Sequence, residues 1–180
     1  NPLTAEDAAG SLRRVVKLNK TPAFILTQFG LTPENVDQMI TFEGDTVTLK
    51  TDKAYAPSFV YNCLTAGVAN IVDMKTVMAN EVEGDMGNAW LKANSAGTGA
   101  YVLKSFKPNE GYVLEARAGH WRGDAKIKTV FMQHIPEGAT QRLLLAKGDI
   151  DIAREMTPTD IEGISGNADL KVQGDVGGQV

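Results

Sequence analysis

The segment Gly97–Leu103, which reads GTGAYVL, has the glycine spacing of a phosphate-binding loop. A dinucleotide fingerprint requires a third glycine where Val102 stands, and a helix must follow so that its N-terminus can bind the anion. Here the residues that follow are β-prone and apolar. We therefore predict a tight turn that leads into a strand, with glycine supplying backbone of positive φ.

The histidines and the cysteine are the next candidates for chemistry. His120 lies in AGHWRGD, His134 ends FMQHI, and Cys63 is the single cysteine. No H-x-x-H or HExxH spacing and no G-x-S-x-G elbow occurs, so we predict no metal site, no cofactor and no catalytic residue. A triad assembled in space stays open at this stage. Cys63 lies in an apolar helical run and is predicted to be buried.

Three acidic residues in GDIDIARE, namely Asp149, Asp151 and Glu155, resemble a carboxylate pair or a cation site. Asp149 and Asp151 would share one face of a strand. However, Asp149 follows Gly148 in a helix-to-strand turn, where aspartate is common, and the spacing does not match a calcium loop. Structural roles are therefore favoured. Trp90 is expected in the core and Trp121 as a packing anchor.

The composition is that of a globular protein, with 180 residues, 43% hydrophobic and 22% charged. The net charge is −4 and no Lys/Arg cluster appears, which argues against nucleic acid as a partner. No apolar run has the length of a membrane span. Because the first residue is Asn1 rather than methionine, we expect a chain that is either processed or cut from something longer.

Periodicity predicts two domains and an α/β (α+β) fold. Residues 1–95 read as a mostly helical small domain with a short hairpin, and residues 96–180 as a β-rich part of an α/β lobe. Thr4 and Asp7 form a capping-box pattern before the first helix. The stretch ITFEGDTVTLKTD alternates about a Gly44-Asp45 turn, as a hairpin does. Strands are predicted at AYVLKSF, GYVLEARA, IKTVFMQHI, DIDIA and ADLKVQ, with KPNEG joining the first two as a hairpin. A helix is predicted at EGATQRLLLAKG with Gly148 as its stop, another is predicted to start with Thr157 as its cap, and GDVGGQV is predicted to be a mobile tail.

An ordered set of motifs resembles the solute-binding proteins of ABC importers, family 5, over essentially the whole chain. The set comprises NPLTAEDAAGSLRRV, GDTVTLKTDKAYAPSFVYNCL, GTGAYVLKSFKPNEGYVLEARAGHWRG and AKIKTVFMQHIPEGATQRLLLAKGDIDIA. Departures from the family pattern are Ala100 for proline, His120 for tyrosine and Asp149 for glutamate. The resemblance implies a fragment of a class II periplasmic-binding-protein-like fold, with the opposite lobe lying outside this chain.

The resemblance also implies a function without catalysis. The protein would be the periplasmic, or lipid-anchored extracellular, component of an ABC importer. It would bind a peptide or related solute, such as a nickel chelate or an opine, and deliver it to a membrane permease. Candidate ligand-binding residues are Asn70, Arg154, Glu155 and Met156. A sensor or interaction module with the same fold is the alternative, and a hydrolase using His120 or His134 is a third hypothesis.

Overall fold

The structure is a computed structural model that describes residues 2–174. In chain order its elements are α1 (Ala5–Leu18), α2 (Phe24–Thr27), α3 (Val36–Met39), β1 (Ile40–Glu43), β2 (Thr46–Leu49), α4 (Pro57–Leu64), a 3₁₀ turn (Gly67–Ala69), α5 (Met74–Met78), α6 (Asn88–Leu91), β3 (Tyr101–Lys107), β4 (Gly111–Ala116), β5 (Thr129–Gln133), α7 (Gly138–Lys147) and α8 (Pro158–Glu162). The family resemblance predicted this mixture of helices and strands.

Helix α1 begins where the sequence predicts. The Asp7 backbone N–H donates to the Thr4 hydroxyl at 3.0 Å, and the Thr4 N–H donates to the Asp7 carboxylate at 3.1 Å, so the capping box is confirmed. One face of the helix is apolar, with Ala9 and Val16 fully buried. This face packs on a core formed by the helices and the hairpin, whose largest buried side chains are Leu26, Phe29, Leu31, Val36 and Ile40.

The predicted hairpin is confirmed. Strands β1 and β2 pair antiparallel, with Ile40 opposite Leu49 and Phe42 opposite Val47. Along β2 the exposed threonines alternate with half-buried Val47 and Leu49, which pack against the core. This alternation follows from the period of two residues in a strand, because one face of the hairpin covers helices and the other meets solvent.

The second sheet has the strand order β3-β4-β5. The predicted hairpin between β3 and β4 is confirmed, as is the helix α7, which Gly148 ends in the left-handed conformation at φ 77°. Helix α8 also begins as predicted, because the Asp160 N–H donates to the Thr157 hydroxyl at 3.2 Å.

Two strand predictions are wrong. Residues 149–153 and 168–173 form no strand. The Asp149 N–H donates to the Leu144 carbonyl at 2.9 Å, which completes the end of α7 instead of a ladder. Alternating apolar residues become a strand only when a neighbouring strand accepts their hydrogen bonds, and within residues 2–174 neither segment has one. The tail predicted as mobile lies, beyond Gly174, outside the described residues.

The chain divides into two compact units. Among the described residues, the first holds residues 2–108 together with Tyr112–Phe131, and the second holds Asn109–Gly111 and residues 132–174. The predicted domain boundary between residues 95 and 96 stays a prediction. Within the described part of the chain, none of the helices combines the length and the apolar character needed to cross a membrane.

Candidate functional site

Asn70 is exposed on a loop that residues in the first half of α1 hold in place. Its backbone N–H closes the 3₁₀ turn on the Gly67 carbonyl at 3.2 Å. Two residues later, the Val72 N–H donates to the hydroxyl of buried Ser11 at 3.0 Å, and the Met74 N–H donates to Asp7 at 2.9 Å. The loop backbone is thereby fixed, while the Asn70 amide faces solvent and is available to a ligand.

The same loop runs beside the turn at Gly97–Gly99. The Asp73 N–H donates to the Ala96 carbonyl at 2.8 Å, which joins the two segments through their backbones. Arg117 fastens the turn from the other side, since its Nε donates to the Gly99 carbonyl at 2.9 Å and its Nη2 to the Gly97 carbonyl at 2.7 Å. Charge-assisted bonds of this kind are stronger than those between neutral groups.

The chain bends at Gly97 and Gly99 and leads into strand β3 as predicted, but the predicted reason for the glycines is wrong. Neither Gly97 nor Gly99 is among the residues with positive φ. A Cβ added at either position would meet nothing closer than 3.9 Å and 4.0 Å respectively. Arg117, which the sequence analysis did not single out, fixes the turn through two backbone carbonyls. The available signal was an arginine directly after β4, because the β3–β4 hairpin returns the chain to the Gly97–Gly99 turn.

A groove of about 660 Å³ opens next to this turn, within the first unit. Its apolar wall includes Leu3, Val102 and Trp121, and its polar wall includes Thr76 and His120. The lining therefore combines apolar surface with a few polar groups. No such groove was predicted, because its walls come from four segments that are distant in sequence.

Trp121 does not act as a packing anchor. Its side chain is 73% exposed, with the Arg122 guanidinium 4.5 Å from the ring centroid and the His120 ring 5.6 Å away. The prediction failed because a glycine-flanked loop places the ring outside the core. Trp90, expected in the core, is half-buried, whereas the prediction that Cys63 is buried is confirmed.

The candidates Arg154, Glu155 and Met156 lie in the second unit, and Asn70 lies in the first. The Arg154 backbone N–H donates to the Gln141 side chain at 3.2 Å, which ties the segment to α7. Glu155 adopts the left-handed conformation at φ 58°, and Thr157 then caps α8. The guanidinium and carboxylate are exposed and Met156 is half-buried. A short, anchored, polar segment results, without the strand that was expected to precede it.

Among residues 2–174, no group of three or more histidine, cysteine, aspartate or glutamate side chains could hold a metal ion. The acidic residues Asp149, Asp151 and Glu155 are exposed, and His134 is exposed after β5. What the described residues provide is hydrogen-bonding capacity on anchored loops together with apolar surface.

A family model described as bacterial extracellular solute-binding proteins, family 5 Middle, matches residues 1–180. The chain belongs to this family. It is 30% identical over 159 residues to the probable D,D-dipeptide-binding periplasmic protein DdpA of Escherichia coli (strain K12), a match that covers 88% of this chain and 28% of that protein. The family resemblance stated from the motifs is thereby confirmed.

Solved structures show the same fold. A nickel ABC transporter protein from Bacillus halodurans superposes with a TM-score of 0.66 at 23% identity, over 93% of this chain and 30% of its own. A putative peptide-binding protein, AppA from Clostridium difficile, gives 0.65 at 25% identity, over 93% and 33%. The fold is therefore part of a class II periplasmic-binding-protein architecture, as expected. The chain spans about a third or less of the length of these family 5 proteins.

Proposed function

We propose that this chain is part of the solute-binding component of an ABC importer, which captures a peptide or related small solute outside the cytoplasm and delivers it to a membrane permease. The observation that carries the proposal is the match of the family 5 model over residues 1–180. The protein would act in the periplasm or as a lipid-anchored extracellular receptor, without catalysing a reaction on its solute.

Two anchored segments are proposed to contact the solute. Asn70 would offer amide donors and acceptors to a peptide backbone, since its loop is already fixed by Ser11 and Asp7. Arg154 and Glu155 would pair with charged ends of a zwitterionic solute, and half-buried Met156 would supply adaptable apolar contact. Fixed loops lower the cost of ordering on binding, which favours affinity.

Closure on the solute would be driven by the difference in its affinity for the open and closed states, not by chemistry on the solute. The sequence-based alternative, a sensor or interaction module with the same fold, would bind the same solutes without a permease. A solute-dependent complex with the permease distinguishes the two roles.

The experiment is calorimetric titration of the full-length polypeptide with three probes: a D,D-dipeptide, the matching L,L-dipeptide and the Ni(L-His)₂ complex. These are chosen because the relatives include a D,D-dipeptide-binding protein and, among the solved structures, a protein in complex with Ni(L-His)₂. Saturable binding of one probe without turnover supports the proposal. Absence of binding to all three, with native mass spectrometry finding no co-purified solute, overturns it.

The site residues are tested in the same titration. Asn70→Ala and Arg154→Ala are each expected to weaken binding by up to about tenfold, the value of one hydrogen bond. Asn62→Ala is the matched control for Asn70, because Asn62 is also exposed and sits on α4. Equal effects of Asn62→Ala and Asn70→Ala would remove Asn70 from the site.

A further inference from the structure

The loop between β4 and β5 lies at the surface and is anchored by hydrogen bonds. We call residues 119–128 the basic loop. Its C-terminal end is held by the Ala116 N–H, which donates to the Lys128 carbonyl at 2.8 Å, and by the Tyr101 hydroxyl, which donates to the Ile127 carbonyl at 3.0 Å. Inside it, the Asp124 carboxylate accepts from the Gly119 N–H at 2.8 Å. Its outward-facing side chains are therefore displayed by a fixed backbone.

Two large apolar side chains of the basic loop face solvent. Trp121 is 73% exposed and Ile127 is 64% exposed. A tryptophan in a soluble domain is highly buried on average, so an exposed tryptophan on an anchored loop indicates a binding surface. Its amphipathic ring suits a boundary that is apolar on one side and wet on the other.

The charge of the loop is opposite to that of the chain. The loop contains three exposed cationic residues, Arg122, Lys126 and Lys128, and one acidic residue, Asp124, whereas the whole chain has a net charge of −4. The Arg122 guanidinium lies 4.5 Å from the Trp121 ring centroid, so a cation and an apolar ring are presented together. This combination matches a surface that offers negative charge and hydrocarbon within a few ångströms.

We propose that the basic loop binds the surface of a membrane that contains anionic phospholipid. Trp121 and Ile127 would enter the headgroup boundary, where aromatic and aliphatic side chains gain from leaving water. Arg122, Lys126 and Lys128 would pair with lipid phosphates, because cations near such a surface are attracted within a Debye length. This contact would hold the receptor next to a membrane whatever solute it carries, so it stands or falls independently of the proposed solute.

The test uses the full-length polypeptide and vesicles of two compositions, phosphatidylcholine alone and an equimolar mixture with phosphatidylglycerol. Co-sedimentation is expected with the mixture and not with phosphatidylcholine, and it should weaken strongly between about 0.1 M and 1 M salt. The double variant Lys126→Glu/Lys128→Glu is expected to weaken binding on the order of tenfold or more. Lys75→Glu/Lys92→Glu, which changes net charge equally at exposed positions elsewhere, is the control.

Fluorescence reports directly on the ring. The emission of Trp121 is obtained as the difference between the spectra of the full-length wild type and Trp121→Phe, and it is expected to shift to the blue with anionic vesicles. Trp121→Phe should abolish that shift while circular dichroism stays unchanged. If acrylamide does not quench Trp121 in the full-length protein, the ring is covered by other parts of the polypeptide and the proposal is overturned. Binding to the solubilised permease without any binding to vesicles would equally overturn it in favour of an acidic protein surface.

Discussion

Residues 2–96 and residues 97–174 differ sharply in how many apolar side chains they bury. In the first region Leu26, Phe29, Val36 and Ile40 lose all contact with solvent, and they belong to one core cluster. In the second region, among the described residues, Ile164 is the one buried apolar side chain. The two regions are of similar length, so size does not explain the contrast.

The difference shows how packing depends on available partners. Helix α1 contacts α2, α3, α5 and the β1–β2 hairpin, so its apolar stripe is covered on every side. In the second region Phe131 is 72% exposed and Ile152 is 77% exposed, although both lie in β-prone sequence. Hydrophobic stabilisation scales with the area removed from water, so the first region should govern global unfolding.

The largest effect is expected at Phe29. Its ring is fully buried and packs edge-on against Tyr55 and Phe59, at centroid distances of 5.1 Å and 5.7 Å. Phe29→Ala should lower the free energy of unfolding by about 3–5 kcal/mol in urea titration followed by circular dichroism. Phe131→Ala, the matched change in the second region, should stay within about 0.5 kcal/mol. Equal losses would contradict the contrast.

Arg14 should come next. It is 9% exposed, its Nε donates to the Met86 carbonyl at 2.7 Å, and burial lowers the pKa of its guanidinium. Arg14→Ala removes the stem and orphans a carbonyl, which should cost about 1–3 kcal/mol. Arg14→Met keeps the packed stem and should recover part of that loss. Arg154→Ala, at an exposed position, is the control, and a larger loss there would break the comparison.

A smaller effect separates two helix caps of the same chemistry. Thr4→Ala and Thr157→Ala each remove a hydroxyl that accepts a backbone N–H, worth about 1 kcal/mol of helix stability. Because α1 is part of the core, Thr4→Ala should shift the global unfolding curve. Thr157→Ala should appear instead as faster hydrogen exchange confined to α8. A global shift from Thr157→Ala would mean that the second region unfolds together with the first.

The smallest expected effect is the pH dependence of stability that arises from Asp85. Hydrogen bonds from the backbone N–H groups of Ala89, Val82 and Gly87 lower the pKa of its carboxyl below the ordinary value of 3.8. A lowered folded-state pKa means that the ionised group stabilises the fold above pH 3.8, and that this contribution is lost as the pH falls through the folded value. The stability difference between the wild type and Asp85→Asn should therefore be steady near neutral pH and shrink in acid. A constant difference in acid urea titrations would refute this origin.

Local structure was predicted well wherever a few neighbouring residues decide it. The Thr4–Asp7 capping box, the Gly44-Asp45 hairpin and the Gly148 stop of α7 were confirmed because each depends on contacts within a few residues. The strand at 149–153 was not, because a strand needs a partner that sequence alternation does not supply.

The candidate site residues were predicted from the family resemblance. Asn70, Arg154, Glu155 and Met156 stay predictions as ligand contacts, and their backbone anchors became visible only in three dimensions. Arg117 was missed because its two carbonyl partners lie 18 and 20 residues away. The prediction that Trp121 is a packing anchor was wrong because the sequence of a loop does not show which of its side chains face the core.

The sequence by itself determined the family, the helix caps and the strand periods, since these rest on residue order and local hydrogen bonding. Tertiary structure decided which apolar residues are buried, that Arg117 rather than glycine φ fixes the Gly97–Gly99 turn, and that the basic loop displays its tryptophan. The physical reason is that burial and long-range hydrogen bonds depend on which segments meet, and the meeting of distant segments is a property of the whole fold.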